Sequence, residues 1–138
     1  IFRALQENAA IVATANLRQV AALSGAAPDR IVFAGGAARS AHWAQILADV
    51  SGLPVARSRI SEATALGAAA AAATGAGAFA SLAEAGRAWG AVESVQDPNP
   101  ALRGLYDGAA GRWAAAYRAQ MTLVESGVTT AMWRAPGT

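Results

Sequence analysis

The run Arg30-Ile31-Val32-Phe33-Ala34, followed at once by Gly35-Gly36, constrains this chain more than any other stretch. β-branched and aromatic residues in a run too short for a helix read as a buried strand. The paired glycines stop it and let the backbone turn hard with no Cβ in the way. Ser40 then offers an N-cap oxygen, and Trp43, Ile46, Leu47 and Val50 recur at helical spacing until Gly52 closes the helix. Leu53-Pro54-Val55 opens a second short strand reaching about Ile60, where Pro54 suits a first residue or an edge. Strand, helix and strand in that order predict an α/β fold of βαβ type.

The flanks add helices. Ile1, Leu5, Ala9, Val12, Val20 and Leu23 share one helical face, with Asn16 filling the gap, and Ser24-Gly25 ends the pattern. Pro28-Asp29 makes a turn. Ser61 can cap a third helix with Glu62 in its first turn, where a negative charge suits the helix dipole. That helix runs to about Thr74 and breaks at Gly75-Ala76-Gly77. Its small residues Ala63, Gly67 and Ala70 predict tight packing in a core, since Gly67 costs about 1 kcal/mol against alanine in a helix. Ser81 to Trp89 is a short helix, and Ala91 to Gln96 is extended but of undecided type. Asn99 as cap and Pro100 at the first position start the last helix, with Leu102, Leu105, Tyr106, Ala109, Trp113, Ala116, Tyr117, Gln120 and Val124 on one face. Gly127 ends it, leaving Val128 to Thr138 as a tail.

Composition removes several classes of function. The 138 residues suffice for one modest domain, and 54% apolar content is that of a folded body. The net charge is +2, every cation is arginine and no basic stripe exists, so no nucleic-acid partner is expected. With no cysteine, disulfides, thiolate metal sites and a cysteine nucleophile are excluded. The single histidine, His42, cannot make a histidine metal cluster, and it reads as a surface residue. Ala63 to Ala80 is apolar but interrupted by Thr64, Gly67, Thr74, Gly75 and Gly77, which predicts a packed helix and no membrane span. No signal peptide is visible, so a cytoplasmic protein is expected. Ile1 already lies in helical pattern without a cap, which predicts that the chain continues a longer protein. Trp43, Trp89, Trp113 and Trp133 read as packing residues. Asp49 and Glu62 read as solvated caps or ion-pair members, with nothing to join them as an acid–base pair.

Chemistry concentrates at Gly35-Gly36-Ala37-Ala38-Arg39-Ser40. Glycines after a strand admit a ligand close to the backbone, and a helix behind them offers free N–H groups and a positive dipole end to a phosphate. Neither a Walker A loop nor a spaced G-x-G-x-x-G fingerprint is present. Arg39 is placed either to reach a phosphate or to stay on the surface. From the residues alone, the turn is a nucleotide-site candidate or a plain connection.

The longer block Ala34 to Val55, with Gly35-Gly36-Ala37-Ala38-Arg39-Ser40 followed by Trp43, Gln45-Ile46-Leu47-Ala48-Asp49-Val50 and Gly52-Leu53-Pro54-Val55, resembles the signature of the FGGY carbohydrate kinases. Glu62-Ala63-Thr64-Ala65-Leu66-Gly67-Ala68-Ala69 and Gly75-Ala76-Gly77 follow at that family's spacing. Ala37 departs from the third glycine that many relatives carry. The tail Gly127 to Gly137 (GVTTAMWRAPG), with Glu7-Asn8-Ala9-Ala10 and Ala15-Asn16-Leu17, resembles the family's autoinducer-2 branch.

The resemblance implies an actin-like, RNase H-like ATPase fold, of which residues 1–138 would be the C-terminal part of the nucleotide-binding domain and residues 128–138 its tail. It implies ATP and Mg2+ as cofactors. Gly36 would lie at the phosphate side of the nucleotide, Gly35 and Ala37 would complete the turn, and Ser40 would lie beside the adenosine. The small-molecule substrate would be held mainly by an N-terminal domain outside this sequence, which would also carry the general-base aspartate. Alternatives within the resemblance are a xylulose- or ribulose-type kinase and a non-catalytic nucleotide-binding domain.

Overall fold

The computed structural model describes residues 1–130. The chain divides into two compact units, Ile1–Arg103 and a second that begins at Gly104. The first unit holds helices α1 (Phe2–Ser24), α2 (Ala41–Ser51), α3 (Ala63–Gly75) and α4 (Leu82–Trp89), and strands β1 (Ile31–Phe33), β2 (Val55–Ser58) and β3 (Val92–Gln96). Helix α5 (Arg103–Glu125) makes up most of what is described of the second.

The three strands form one sheet in the order β1-β2-β3. β1 and β2 run parallel, with Val32 opposite Ala56 and Phe33 opposite Arg57, and α2 is the crossover between them. That is the expected βαβ unit. β3 resolves the undecided stretch before Asp97: it pairs antiparallel with β2, Ala56 opposite Val95, with a bulge at Arg57/Ser58. A sequence of alternating elements cannot show such a hairpin-free return, because the partner of β3 lies beyond two intervening helices.

Helix α2 supplies the centre of the core. Ala44, Ile46, Leu47, Ala48 and Val50 are buried, as is Val55 of β2. Phe33 of β1 meets Trp43 of α2 edge to face, ring centroids 6.1 Å apart, which places Ile31, Phe33 and Val55 on the α2 side of the sheet. Gly52 ends α2 in the left-handed conformation at φ 74°, as expected of a helix C-terminal glycine.

Three expectations are corrected. The face of α1 that packs is formed by Gln6, Ala10, Ile11 and Thr14, whereas Leu5, Val20 and Leu23 of the expected apolar stripe are exposed. Helix α1 packs against α2, and its buried face mixes Gln6, Ala10, Ile11 and Thr14, while the bulkier stripe lies on the other side of the helix. Helix α3 is not a core helix here: only Ala70 is buried, and nothing lies within 4 Å of where a Cβ on Gly67 would stand. A helix this rich in alanine forms on intrinsic propensity and needs little packing to exist. Its start is also one residue later than expected. Glu62 occupies the cap position without a capping bond, and Ser61 Oγ reaches only the Glu62 carboxylate, at 3.4 Å.

Other local readings hold. Ser81 caps α4, accepting from Glu84 N–H at 3.2 Å, and Phe79 packs edge to face on Trp89. Asn99 caps a short 3-10 turn, Pro100–Leu102, which leads into α5, so the expected helix start is tightened for its first turn. In the second unit Trp113 stacks on Tyr117 at 5.3 Å. After Gly127 (φ 75°) the backbone N–H groups of Val128 and Thr129 return to the carbonyl of Leu123. Thr129 Oγ1 accepts from Gln120 Nε2 at 2.9 Å, which pins the start of the tail to α5. Trp133 and the tail from residue 131 lie outside the described residues.

Candidate nucleotide site

Because β1 and β2 are parallel, their carboxyl ends fall at the same end of the sheet. The turn after β1 carries Gly35 to Ser40, and the loop after β2 leads through Glu62 into α3. The two sequence motifs, separated by more than twenty residues of helix and strand, are thereby brought to one end. In open α/β sheets, ligands bind outside the carboxyl ends of the strands.

Gly35 has φ 84° and ψ −171°, a region that only glycine enters freely. Gly36–Arg39 then forms a single 3-10 turn, with Ala38 N–H bonded to Gly35 O and Ser40 N–H to Ala37 O, both at 3.1 Å. Ala38 is buried and anchors the turn, while Gly36 and Arg39 are exposed. The glycines are thus followed by a short 3-10 turn before α2, whose cap at Ser40 is where the sequence places it. The 3-10 turn stands between them and α2, and the N–H groups at its start, on Gly36 and Ala37, have no partner within the turn itself.

Ser40 sits where expected. It is the N-cap of α2, its Oγ accepting from Trp43 N–H at 3.2 Å and its carbonyl from Ala44 N–H at 3.1 Å. The capping bond uses one lone pair and leaves the hydroxyl hydrogen available. No heavy atom lies within 4 Å of where a Cβ would project from Gly35 or Gly36. Both glycines therefore border open space, the condition for close approach of a phosphate or ribose to the backbone. A nucleotide fits this turn on those grounds. For a metal ion the chain offers less: among the described residues, no group of three or more His, Cys, Asp or Glu side chains could hold one.

Asp49 departs from the solvated role expected for it. It is 6% exposed, and its Oδ1 accepts from Asn99 N–H and from Gln45 Nε2, each at 2.8 Å. Gln45 Nε2 also donates to the Asp97 carbonyl at 2.8 Å. Together the pair fastens α2 to the Asp97-Pro98-Asn99-Pro100 turn. Arg57 was not singled out by the sequence, yet it is buried near the carboxyl end of β2, paired with Glu93, its Nε without a hydrogen-bond partner. The only hint in the sequence is an arginine in the middle of Val55-Ala56-Arg57-Ser58. His42 is exposed, in keeping with a surface position, and Arg39 is exposed beside the turn, which fits either of its two readings.

Residues 1–76 match the model of the FGGY family of carbohydrate kinases, C-terminal domain. The chain belongs to that family. It is 51% identical over 137 residues to the autoinducer-2 kinase of Enterobacter sp. (strain 638), an alignment that covers 99% of this chain and 26% of that protein. The autoinducer-2 kinase of Escherichia coli (strain K12) is 50% identical over the same length. The chain thus spans about a quarter of the length of the curated relatives it matches. Among solved structures, xylulose kinase from Rhodospirillum rubrum superposes with a TM-score of 0.72 at 29% identity, covering 89% of this chain and 25% of that one. Gluconate kinase from Lactobacillus acidophilus shares the fold at a TM-score of 0.61 and 22% identity, over 70% of this chain and 20% of that one. The helix-rich α/β architecture is therefore that of the C-terminal portion of FGGY kinases. No helix among the described residues is long and apolar enough to cross a membrane.

Proposed function

We propose that this chain forms one wall of the ATP site in a kinase that phosphorylates the terminal hydroxyl of linear autoinducer-2. The observation that carries this reading is 51% identity to an autoinducer-2 kinase across 99% of the chain. In this reading Gly35, Gly36 and Ala37 present backbone to the phosphates, and Ser40 lies beside the adenosine. The left-handed Gly35 sets the direction of the turn, buried Ala38 holds it, and the open space beside Gly36 admits the ligand.

ATP would supply the phosphoryl group. This chain's part is to bind and orient the nucleotide and to exclude water from its side of the site, which lowers the barrier by positioning. In this reading proton removal from the acceptor hydroxyl falls to a carboxylate of the larger kinase. Magnesium would enter with the nucleotide, since no cluster of ligands for it exists among the described residues. Residues 1–138 alone are accordingly expected to show no kinase turnover.

The test is a chimera in which this chain replaces the corresponding segment of the Enterobacter relative. ATP-dependent phosphorylation of linear dihydroxypentanedione, with Gly36→Ala raising the KM for ATP at least tenfold, is the expected result. A folded chimera without ATP-dependent turnover would overturn the reading of this chain as a wall of the ATP site. The acceptor, held in this reading mainly outside the chain, is tested on the parent kinase, where turnover of xylulose in place of dihydroxypentanedione would favour the pentulose-kinase reading that the likeness to xylulose kinase suggests. Turnover by residues 1–138 alone would remove the assignment of the general base elsewhere.

A further inference from the structure

Arg57 is a charge buried at the end of the sheet from which the glycine turn departs. It is 7% exposed, and its guanidinium pairs with the Glu93 carboxylate, whose side chain is half in water. The pair depends on an irregularity in β3. Arg57 lies opposite Ser94 and Ser58 opposite Val92, so Glu93 is an extra residue with no partner on β2. A bulge of this kind re-aims a side chain, and here it brings Glu93 to Arg57. Among the described residues Arg57 Nε has no hydrogen-bond partner. A buried ion pair adds little stability over apolar residues of the same size, and an orphaned buried donor subtracts from it. Burial of this arginine therefore calls for a reason other than holding the sheet together.

Placement supplies one. Arg57 is opposite Phe33 in the parallel pair, so the two side chains share a face, and Phe33 meets Trp43 of α2. Glu93 stands between the levels of Arg57 and Ser58, so its carboxylate draws the guanidinium toward the carboxyl end of β2. The glycine turn is at that end. Gly35 follows Phe33 by two residues, about 6.6 Å farther along at about 3.3 Å per residue, a distance that an arginine side chain spans. β2 lies against the 3-10 turn Gly36–Arg39 as well as against α2. The turn has bonds of its own, Ala38 N–H to Gly35 O and Ser40 N–H to Ala37 O, which fix its shape but not its position over β2. Water screens Glu93 more than it screens Arg57, so the pair leaves a net positive field at this end of the sheet.

We propose that Arg57 is a positioning residue for the nucleotide. It steadies the glycine turn over the end of β2 and adds positive field beneath the phosphates, and Glu93 aims it. Arg57 touches neither ATP nor the acceptor, and it acts through Gly35 to Ser40. The proposal rests on the reading of that turn as a wall of the ATP site.

Steady-state kinetics of the Enterobacter chimera test it. Arg57→Met keeps most of the side chain's length and removes its charge. The KM for ATP should rise about tenfold, as for a displaced binding group. In the same variant kcat and the KM for dihydroxypentanedione should stay within about twofold. Arg57→Lys restores the charge without the fork that Glu93 aims, and it should raise the KM for ATP only about threefold. A charge that served the fold alone would lower the Tm and move kcat and both KM values together, without rescue by lysine; that result overturns the proposal. So does a folded Arg57→Met chimera with the KM for ATP unchanged. Where the methionine variant does not fold, the lysine variant decides, and a KM for ATP equal to the parent's overturns the proposal. An unmutated chimera without ATP turnover removes the ATP-site reading and this proposal with it. An active chimera whose KM for ATP ignores Arg57 overturns this proposal alone.

Discussion

Replacing Asp49 should destabilise the first unit more than any other single polar change in α2. Its Oδ1 takes two hydrogen bonds at 2.8 Å, from Asn99 N–H and Gln45 Nε2, and the residue is 6% exposed. Hydrogen bonds to a charged acceptor contribute about 1.5–3 kcal/mol each, and a buried donor left without a partner costs about 1–3 kcal/mol. Gln45 Nε2 keeps its bond to the Asp97 carbonyl, and Asn99 is exposed, so in Asp49→Ala neither donor is left buried without a partner. The cost is roughly 2–3 kcal/mol for Asp49→Ala, from the two lost bonds to a charged acceptor offset by water at Asn99 and by the bond Gln45 keeps. Asp49→Asn keeps an acceptor oxygen and loses only the charge, for about 1–2 kcal/mol.

Urea denaturation of the chain would measure this, with the midpoint falling by about 1.3–2 M for alanine at an m-value of about 1.5 kcal/mol/M. Small domains have total stabilities of about 5–15 kcal/mol, so at the low end of that range the alanine variant is only marginally folded at zero denaturant. The asparagine variant and a double-mutant cycle with Gln45→Ala keep the test open in that case. A coupling energy of about 1 kcal/mol or more between positions 45 and 49 is expected. If Asp49→Ala costs less than about 1 kcal/mol, or if alanine and asparagine cost the same, the account of Asp49 as the clamp on the Asp97–Pro100 turn is wrong.

Other outcomes follow from the site. Gly35→Ala forces a side chain into φ 84° and should cost about 1–3 kcal/mol by thermal or chemical denaturation. Gly36→Ala meets open space at a position without positive φ, so the fold should hold within about 1 kcal/mol while nucleotide affinity of the chimera drops; equal losses of stability and affinity would make Gly36 a structural residue only. Ser40→Ala removes the cap on Trp43 N–H and should cost about 1 kcal/mol, with Ser40→Gly costing a few tenths, as read by the shift in Tm.

The elements themselves were legible because each rests on local chemistry. A β-branched run stopped by two glycines, a serine cap three residues before Trp43, and an asparagine–proline start at residues 99 and 100 act within a few residues of one another. The candidate turn was legible for the same reason, and the family signature rests on that same stretch. What the sequence could not disclose is which neighbour each element meets. The side of α1 that packs carries Gln6, Ala10, Ile11 and Thr14 and not the apolar stripe, because hydrophobic periodicity counts side chains without knowing the partner. Asp49 became a buried acceptor only because folding carried Asn99, fifty positions away, onto it. The alanine run of α3 predicted a core helix, yet its exposure depends on what else occupies the fold. The sequence alone thus determined the order of elements and the glycine turn after β1; tertiary structure decided which faces are covered and paired Arg57 with Glu93, since pairing across space is set by the whole chain's packing and not by any local run.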